Sequence, residues 1–553
     1  MSGNKIENTG RKPTFIEALI IVVIAVGFIL TAVLFFGADV HIPLIFAATV
    51  SIVYSLFVLK VKWAVLEEGI LTSILMAMQA ILILYVVGTL IGSWILSGVV
   101  PTMIYYGLDL ISPSFFLIAS LIICSIVSIS TGTSWGTSGT VGIALMGIGA
   151  GLGIPPAVTA GFVISGAYFG DKMSPLSDTT NLAPAMAGTD LFQHIRAMCW
   201  TTGPTYIIVI VIAAVFGFKY GGGTLDVEKI AAIQALMHAE FSISPLGFIP
   251  PLLVIGLAAS KKPAIPSIFA GVIAGCLLGA FQDNGYTSVI GAINVARDVV
   301  AAAPGSSFVD FIGALRESLS GSYYAAMLDV LQNGYAPKLA GELADLGEDA
   351  VAIASALSQN NITGISVDSA INATATLNEL LARGGLQSMN WTVSLILCAL
   401  TFGGVLERVG FLEVFLNTLM RGVKSAGGLC TAVIISCLAV NFLTGDQYIA
   451  LVLPGRMLKQ RFIDVGLHPR MLSRSLEDSG TLTSVLIPWN TCGAYHTTTL
   501  GIPTWQYAPY AFLNWLNPII AIVMTYSGIG IAWKTNAESG DDFVISKKKP
   551  ANI

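Results

Sequence analysis

Charged side chains are scarce in this sequence of 553 residues. Lys, Arg, Asp and Glu make up 11% of it, whereas a water-soluble domain normally contains about 25%. Hydrophobic residues make up 55%, and the mean hydropathy is +0.79. So little charge cannot cover several soluble domains of this total length with a polar surface. The composition therefore predicts a polytopic protein whose main partner is the lipid bilayer.

Two other features are missing: a basic excess and paired cysteine motifs. The formal net charge is −5 and is dispersed along the chain, which argues against a nucleic-acid partner. The seven cysteines stand singly, with neither a C-x-x-C motif nor a Cys/His spacing. These absences exclude a disulfide framework and a zinc site of known pattern. We expect no cofactor and no enzymatic activity.

Long apolar segments dominate what is present, and they predict an all-α membrane fold. Several are shorter than the ~20 residues of a simple span and contain Gly or Pro, which indicates broken helices of the kind found in secondary transporters. The segments cover residues 15–36, 42–59, 69–98, 115–130, 133–150, 155–170, 200–218, 245–260, 264–282, 391–407, 428–443, 445–455, 475–488 and 507–533.

One stretch, 283–388, differs from the rest. It contains eleven acidic and four basic residues in polar and amphipathic pieces, and it predicts an insertion outside the membrane. The resulting organisation is a terminal segment, two membrane repeats with a linker, and a tail. Their bounds are 1–14 for the cytoplasmic N-terminus, 15–218 for repeat 1, 219–244 for the linker, 245–535 for repeat 2 with its 283–388 insertion, and 536–553 for the cytoplasmic tail.

Internal matches at a nearly constant spacing indicate two homologous halves. "IPLIFA" at 42–47 recurs as "IPSIFA" at 265–270, and "TG" at 131–132 recurs 313 positions later at 444–445. The spacing grows between these matches because the 283–388 insertion lies between them. Further pairs at 312 or 313 positions are Gly92 with Gly404, Gly98 with Gly410, Gly142 with Gly455, Gly153 with Gly466, Pro156 with Pro469 and Pro175 with Pro488.

The basic residues of matched connections indicate how the halves are oriented. Residues 142–160 contain no Lys or Arg, whereas the equivalent stretch contains Arg456, Lys459, Arg461, Arg470 and Arg474. Three other matched connections also differ in basic content. Because cytoplasmic loops are rich in Lys and Arg, equivalent loops are predicted to face opposite sides, which makes the repeats inverted. Both termini are then cytoplasmic, the insertion is external, and the protein lies in the cell (cytoplasmic) membrane.

A first pair of polar stretches interrupts the apolar sequence. Residues 125–140, "SIVSISTGTSWGTSGT", place hydroxyls and glycines, Thr133 and Ser134 among them, where a helix would be weak. A helix break that lines a cavity is the favoured interpretation, and a Ser/Thr-rich helix contact is the alternative. The matching stretch "NFLTGDQYIA" contains Asp446, whose carboxylate would be costly against lipid.

A second pair comprises "GAYFGDKMSPLSDTTNLAP" (166–184) and "SRSLEDSGTLTSVLIPWNTCGAYHTTT" (473–499). Pro175 and Pro488 are predicted to interrupt helices and free backbone carbonyls. Carboxylate, hydroxyl, amide and carbonyl oxygens suit a hard cation, and a buried carboxylate that loses its cation can take up a proton. The candidate side chains are Asp171, Asp178, Asn181, Asp478, Ser479, Asn490 and Thr491.

An alternative reading assigns some of these carboxylates to the fold. Lys172 could pair with Asp171, and Arg474 could pair with its neighbours Glu477 and Asp478, because buried charges are usually paired. Asp178, with its Ser and Thr neighbours, is the aspartate favoured for ion binding.

These stretches, together with "GTSWGTSGTVG" and "LTGDQYIALVLPGRM", resemble the NhaC-type Na⁺/H⁺ antiporters, a family in the ion-transporter superfamily of secondary carriers. The resemblance covers most of the chain to about residue 535 and is weakest over 283–388. It implies Na⁺ and H⁺ as transported ions, and re-entrant hairpins that meet near the midplane. The implied site consists of Asp171, Asp178, Thr179, Thr180, Asn181, Asp446, Asp478 and Asn490, with Na⁺ on Asp178, Asp171 and Asp478; the chain could also form a homodimer.

Two other functions compete with Na⁺/H⁺ antiport. Similar sequences exchange organic anions, such as malate for lactate, coupled to Na⁺ and H⁺. A carboxylate substrate would favour Arg or helix N-termini at the midplane, and we find no Arg in the polar clusters, with Lys172 as their only cation. A passive channel or a scaffold is disfavoured, because neither requires paired broken helices with buried carboxylates.

The inverted topology can be tested by labelling. A cysteine introduced into 283–388 is expected to react with a membrane-impermeant maleimide added to intact cells, because the insertion is predicted to be external. The unsubstituted chain provides the background from its own cysteines. Labelling that requires permeabilised cells would show that the orientation is reversed.

Overall fold

The computed structural model describes residues 10–221, 227–260, 262–281, 289–301, 307–320, 323–347, 349–419, 422–423, 425–535 and 543–549. Parts of the predicted cytoplasmic segments, 1–9, 536–542 and 550–553, lie outside these ranges. The described chain is helical, with one two-stranded antiparallel sheet of β1 (Ala532–Lys534) and β2 (Phe543–Ile545). A helical fold without a sheet core confirms the predicted class.

The helices of the first part of the chain are α1 (Phe15–Phe36), α2 (His41–Phe57), α3 (Trp63–Leu96), α4 (Val99–Leu110), α5 (Pro113–Thr131), α6 (Ser134–Thr137), α7 (Ile143–Gly151), α8 (Pro156–Met173), α9 (Asp178–Ala187), α10 (Leu191–Gly221) and α11 (Val227–Glu240). A π-helical turn, Ser138–Gly142, joins α6 to α7.

The middle of the chain forms α12 (Ile249–Ala259), α13 (Ala264–Ala280), α14 (Val289–Ala301), α15 (Phe308–Ser320), α16 (Tyr323–Asn333), α17 (Leu339–Asp345), α18 (Ala350–Gln359) and α19 (Val367–Leu381). The last part forms α20 (Asn390–Val409), α21 (Phe411–Leu419), α22 (Ala426–Thr444), α23 (Gln447–Val465), α24 (Pro469–Leu476), α25 (Leu482–Ser484), α26 (Thr491–Leu500), α27 (Thr504–Tyr507) and α28 (Phe512–Ser527). A second π-helical turn, Glu477–Thr481, joins α24 to α25.

Among the described residues, six helices are long and apolar enough to cross a membrane, or up to eight when each of two bent helix pairs counts as one span. Their outer faces carry large apolar side chains that are mostly exposed, such as Val23 on α1 (59% exposed) and Ile207 on α10 (64% exposed). Contiguous apolar surface on this scale requires lipid. The chain is therefore a multi-pass membrane protein.

The helices separate into two compact units. The first comprises Met1–Ile81, Tyr168–Ile210 and Trp391–Ile553, and the second comprises Leu82–Ala167 and Val211–Asn390. The apolar core of the first unit lies between α1, α2, the start of α3 and α20, with a further cluster around α22, α23 and α24. In the second unit, α11 packs along α19, and α12 along α13.

Some helices extend beyond the apolar runs that predicted them. Helix α23 continues to Val465, although its apolar run ends at 455. The run is shorter than the helix because the second half of the helix contains Arg456, Lys459 and Arg461. The stretch 219–244, predicted as a linker, contains the described helix α11 with a buried apolar side. The stretch 283–388 forms the short helices α14 to α19 within its described residues.

The helix bounds repeat at the spacing found in the sequence. Helices α5 and α22 both have 19 residues and begin 313 positions apart, and so do the ten-residue helices α9 and α26. Helices α2 and α13 both have 17 residues and begin 223 positions apart. The residue after α5 is Gly132 and the one after α22 is Gly445, and both have the positive φ that glycine adopts without strain.

Two glycines bring α3 and α20 into close contact in the first unit. A Cβ at Gly404 would lie 2.8 Å from the carbonyl oxygen of Gly69 and 2.8 Å from the hydroxyl of Ser73. A Cβ at Gly69 would lie 2.4 Å from the Cβ of Arg408. Small residues at such crossings allow membrane helices to approach backbone to backbone.

Replacing Gly404→Leu is expected to destabilise the protein by about 1–3 kcal/mol, because the side chain would have to push α3 away. Thermal unfolding in detergent, followed by loss of the monodisperse peak in size-exclusion chromatography, measures the change. Gly27→Ala on α1 is the control, since a Cβ there meets nothing within 4 Å. Equal midpoints for the two variants would contradict the close crossing.

Candidate ion-binding site

The break between α8 and α9 is closed by its own side chains. Residues 174–177 leave the helix, and the Ser177 side chain then caps α9. The Thr180 hydroxyl donates to the carbonyl oxygens of Asp171 and Lys172 at 3.1 and 3.0 Å. The Asn181 amide donates to the carbonyl oxygens of Pro175 and Ser177 at 2.9 and 2.7 Å. Thr180 and Asn181 thus satisfy the carbonyls that the proline frees.

The second break, at 485–490 before α26, is closed in another way. Asn490 caps α26 through the amide of Cys492 at 3.1 Å. Its own side-chain amide donates to the backbone and side-chain oxygens of Asn441 on α22, both at 3.2 Å. Asn441 in turn donates to the carbonyl of Gly480 at 2.7 Å. This chain of amides holds the break against the end of α22.

Four buried charged residues form what we call the ion-pair cluster: Lys172, Arg474, Glu477 and Asp478. Lys172 at the end of α8 pairs with Asp478 in the π-helical turn. The same carboxylate oxygen accepts from Thr201 at 3.0 Å and from Asn517 at 2.8 Å. The other oxygen lies 3.9 Å from the Nε atom of Arg474.

Glu477 completes the cluster, with two threonine hydroxyls as its nearest donors. It is fully buried, and its carboxylate lies near the hydroxyls of Thr481 and Thr179 without a hydrogen bond of standard geometry. Lys172 and Asp171 lie within electrostatic range of it. Lys172 and Arg474 thus lie among three buried carboxylates, Asp478, Glu477 and Asp171, and none of the three is an isolated buried charge.

Asp446 lies at a separate location, which we call the helix-break site: the interruption between α22 and α23 at Gly445 and Asp446. Asp446 is 1% exposed and caps α23, with one carboxylate oxygen accepting from the amides of Tyr448 and Ile449 at 2.8 and 2.9 Å. Its other oxygen is buried and has no hydrogen-bond partner among the described residues. The site is also bounded by the second break, because Thr491 donates its backbone N–H to the carbonyl of Gly445 at 2.8 Å.

The predicted site aspartates differ in their surroundings, although Asp171, Asp178 and Asp446 all lie within electrostatic range of Tyr448. Asp178 is exposed in the first turn of α9, Asp171 is buried near the end of α8, and Asp478 is held in the ion-pair cluster. No three His, Cys, Asp or Glu side chains of the described residues come together in a metal-type cluster.

Thr133 and Ser134 lie in the second unit and close a break of the same form. Gly132 has φ +70°, and the Thr133 hydroxyl caps α6 through the amide of Gly136 at 3.3 Å. Thr133 and Ser134 stand 313 positions before Asp446 and Gln447, at the equivalent points of the two breaks. The equivalent cap is therefore a hydroxyl in one unit and a carboxylate in the other.

Comparison with known proteins identifies the family of this chain. The model of the Na⁺/H⁺ antiporter family matches residues 166–296 and 347–529, which include the end of α8, the helices from α9 to α13 and every helix from α18 to α28. The Na⁺/H⁺ antiporter NhaC of Alkalihalophilus pseudofirmus is 35% identical over 94% of this chain and 97% of its own.

The chain belongs to the Na⁺/H⁺ antiporter family. Other relatives of similar identity are named for other substrates. The malate-2H⁺/Na⁺-lactate antiporter of Bacillus subtilis is 35% identical over 95% of this chain and 97% of its own. The arginine/ornithine antiporter ArcD of Halobacterium salinarum is 31% identical over 96% of both chains. All three are transporters rather than enzymes.

Arg474 is 1% exposed and faces Asp478, as the alternative reading expected, so the statement that Lys172 is the only cation in the polar clusters is wrong. Sequence reasoning did not name three other side chains that bind the ion-pair cluster and the second break. Asn441, Thr201 and Asn517 lie in apolar helices, and only the tertiary contacts reveal their roles.

Because Lys172 and Asp478 are paired, removing one charge is expected to cost more stability than removing both. Lys172→Met leaves Asp478 buried with a single, more distant cation and is expected to cost about 3–5 kcal/mol of stability. The double variant Lys172→Met with Asp478→Asn removes both charges and is expected to recover much of that loss. Thermal unfolding in detergent compares the two.

Arg297→Gln is the control for charge removal in this series. Arg297 pairs with Asp298 at 2.9 Å, but both side chains are about two-thirds exposed. Exposed pairs contribute little to stability, so the unfolding midpoint should not change. A double variant that is less stable than Lys172→Met would show that the two residues do not act as a pair.

Proposed function

We propose that the protein exchanges Na⁺ for H⁺ across the cytoplasmic membrane, and that both ions compete for the carboxylate of Asp446. The supporting observation is the second oxygen of Asp446, which is buried without a donor at a helix break. An acceptor in that position needs either a proton or a cation. The family to which the chain belongs supplies the two ions.

The surroundings of Asp446 suit a small hard cation. The side-chain oxygen of Gln447, the hydroxyl of Ser484 and the amide of Asn490 lie close to the same break, and the first two are 3.5 Å apart. Neutral oxygens with one carboxylate bind Na⁺ without adding net charge to the membrane interior. When Na⁺ leaves, a proton on Asp446 restores neutrality, and this competition couples the two flows.

The ion-pair cluster has a different part in the proposal. Asp478 is already neutralised by Lys172 and Arg474, so it has less need of Na⁺ than Asp446 does. The pair joins α8 to the π-helical turn and thereby fixes the two breaks of the first unit relative to each other. We assign Asp478 to the architecture of the site, with Asp171 and Glu477 as the neighbouring carboxylates.

The topology proposed with this function is a pair of inverted repeats with re-entrant hairpins at 174–177 and 485–490. Helix bounds that repeat at 313 positions support the duplication. The opposite basic content of matched connections supports the inversion. Under this topology both termini are cytoplasmic and 283–388 is external.

Exchange of organic anions is the second candidate. The relative from Bacillus subtilis is named for malate and lactate as well as for the two cations. The buried guanidinium of Arg474 adds a cation that could attract a carboxylate, although its Nη1 and Nη2 already donate to Gly530 and Thr525 at 3.0 and 3.3 Å. Three of its five N–H groups remain, but its Nε atom lies 3.9 Å from the buried carboxylate of Asp478. The positive charge of Arg474 is therefore already compensated within the protein, which favours the inorganic cation.

Proteoliposomes distinguish the two functions. A Na⁺ pulse added outside is expected to make the lumen alkaline, as an entrapped pH dye reports, without any organic acid present. The same pulse with malate outside and lactate inside should give the same rate. Proton movement that requires the organic acids would overturn the proposal.

The site is tested in the same assay with Asp446→Asn. Asparagine is a good helix N-cap, so α23 should keep its start and the unfolding midpoint should stay unchanged. Loss of the carboxylate should reduce the Na⁺-driven proton flux at least tenfold. Asp178→Asn is the matched comparison on an exposed aspartate. A larger loss of flux in Asp178→Asn than in Asp446→Asn would place the ion site at the start of α9.

A further inference from the structure

A charged cavity in the first unit is not explained by the ion site itself. It has a volume of about 720 Å³ and lies between α3, α20 and α23. Its lining residues are Glu68, Gly69, Thr72, Ser73, Gly404, Glu407, Arg408, Glu413, Leu453, Arg456 and Met457. A cavity of this size with five charged side chains is water-filled rather than apolar.

Most charges that line the cavity are already paired. Glu68 pairs with Arg408, and Glu413 lies 3.6 Å from Lys12. Glu407 has no ion pair within 4 Å among the described residues, and it is half-buried. Arg408, Arg456 and Asp446 lie within electrostatic range of it.

The helix geometry places Glu407 between the cavity and the helix-break site. A Cβ at Gly403 would lie 2.7 Å from the backbone of Thr444, at the end of α22. Glu407 follows Gly403 by four residues, so it lies on the same face of α20. Gly404 and Arg408 occupy the adjacent face, which packs against α3.

The opposite wall of the cavity is formed by α23, the helix that Asp446 caps. Leu453, Arg456 and Met457 lie on α23, whose first turn is capped by Asp446. Leu453 is seven residues from Asp446, which corresponds to roughly 10 Å along a helix. The inner end of the cavity is therefore about two helical turns from the carboxylate.

We propose that the cavity is the aqueous entrance through which the transported cation reaches Asp446, and that Glu407 is the carboxylate that captures the cation at its inner end. This inference rests on the proposed function. Glu407 attracts the cation and raises its local concentration in the cavity, whereas the positive charge of Arg456 limits the strength of that attraction. Glu407 acts as a positioning and capture residue, because the exchange of ions takes place at Asp446.

Transport kinetics provide the first test. In proteoliposomes, Glu407→Gln is expected to raise the apparent KM for Na⁺ about fivefold, which is the order of magnitude for the loss of one charge about 10 Å away. Turnover at saturating Na⁺ should stay within about twofold of the parent value. Glu407→Asp should restore the KM. High choline chloride should raise the parent KM toward that of Glu407→Gln, because salt screens the attraction.

Glu67→Gln is the matched control, since Glu67 is exposed on α3 and does not line the cavity. Its KM should equal that of the parent. If the parent exchanges ions and Glu407→Gln keeps the parent KM, or if Glu407→Asp is as impaired as Glu407→Gln, the capture role is wrong while the proposed function stands.

A second test does not depend on transport. In a chain with Cys199→Ser, a cysteine replacing Leu453 should react faster with a cationic methanethiosulfonate than with an anionic one. Adding Glu407→Gln should reduce that ratio at least threefold. An unchanged ratio would overturn the proposal even if the protein moved no Na⁺, and a reduced ratio without exchange would locate the failure in the proposed function.

Discussion

The absence of water in the hydrocarbon core governs this structure. A backbone N–H or C=O that leaves a helix there needs another partner, because lipid offers none. Thr180 and Asn181 supply partners at the first break, and Asn490 and Asn441 supply them at the second. Among the described residues, buried carboxylate oxygens without a hydrogen-bond partner then remain on Asp446, Glu477 and Asp478. Lys172 lies near Glu477 and Asp478, and we propose Asp446 as the acceptor on which ion exchange depends.

Buried carboxylates of two kinds follow from this constraint. Asp478 lies between Lys172 and Arg474 and receives two further hydrogen bonds, so its charge is compensated within the protein. Asp446 accepts hydrogen bonds on one carboxylate oxygen only, from two backbone amides at the start of α23. The first arrangement joins helices through compensated charges. In the proposed exchange, the second needs either a cation or a proton on the remaining oxygen of Asp446.

Much of the architecture could be predicted from the sequence, because apolar length and glycine or proline at helix ends are local signals. The break at Gly445 and the match between Pro175 and Pro488 are of this kind. The pairing of Lys172 with Asp478 could not be predicted, since 306 residues separate the two and either had a nearer candidate partner. The preference for Asp178 followed from its hydroxyl neighbours, but Ser177 is used to cap α9, and Thr179 lies 3.1 Å from that same serine. Such competition between local capping and ion binding is visible only in three dimensions.

The equivalent positions Thr133 and Asp446 differ in chemistry although the helices around them keep the same bounds. The two breaks thus have a similar backbone, while only the break at Gly445 carries an ionisable cap. Under the proposed exchange, the charge that couples the two ions belongs to one of the two caps. The neutral cap at Thr133 can then change in size or polarity while that carboxylate stays in place.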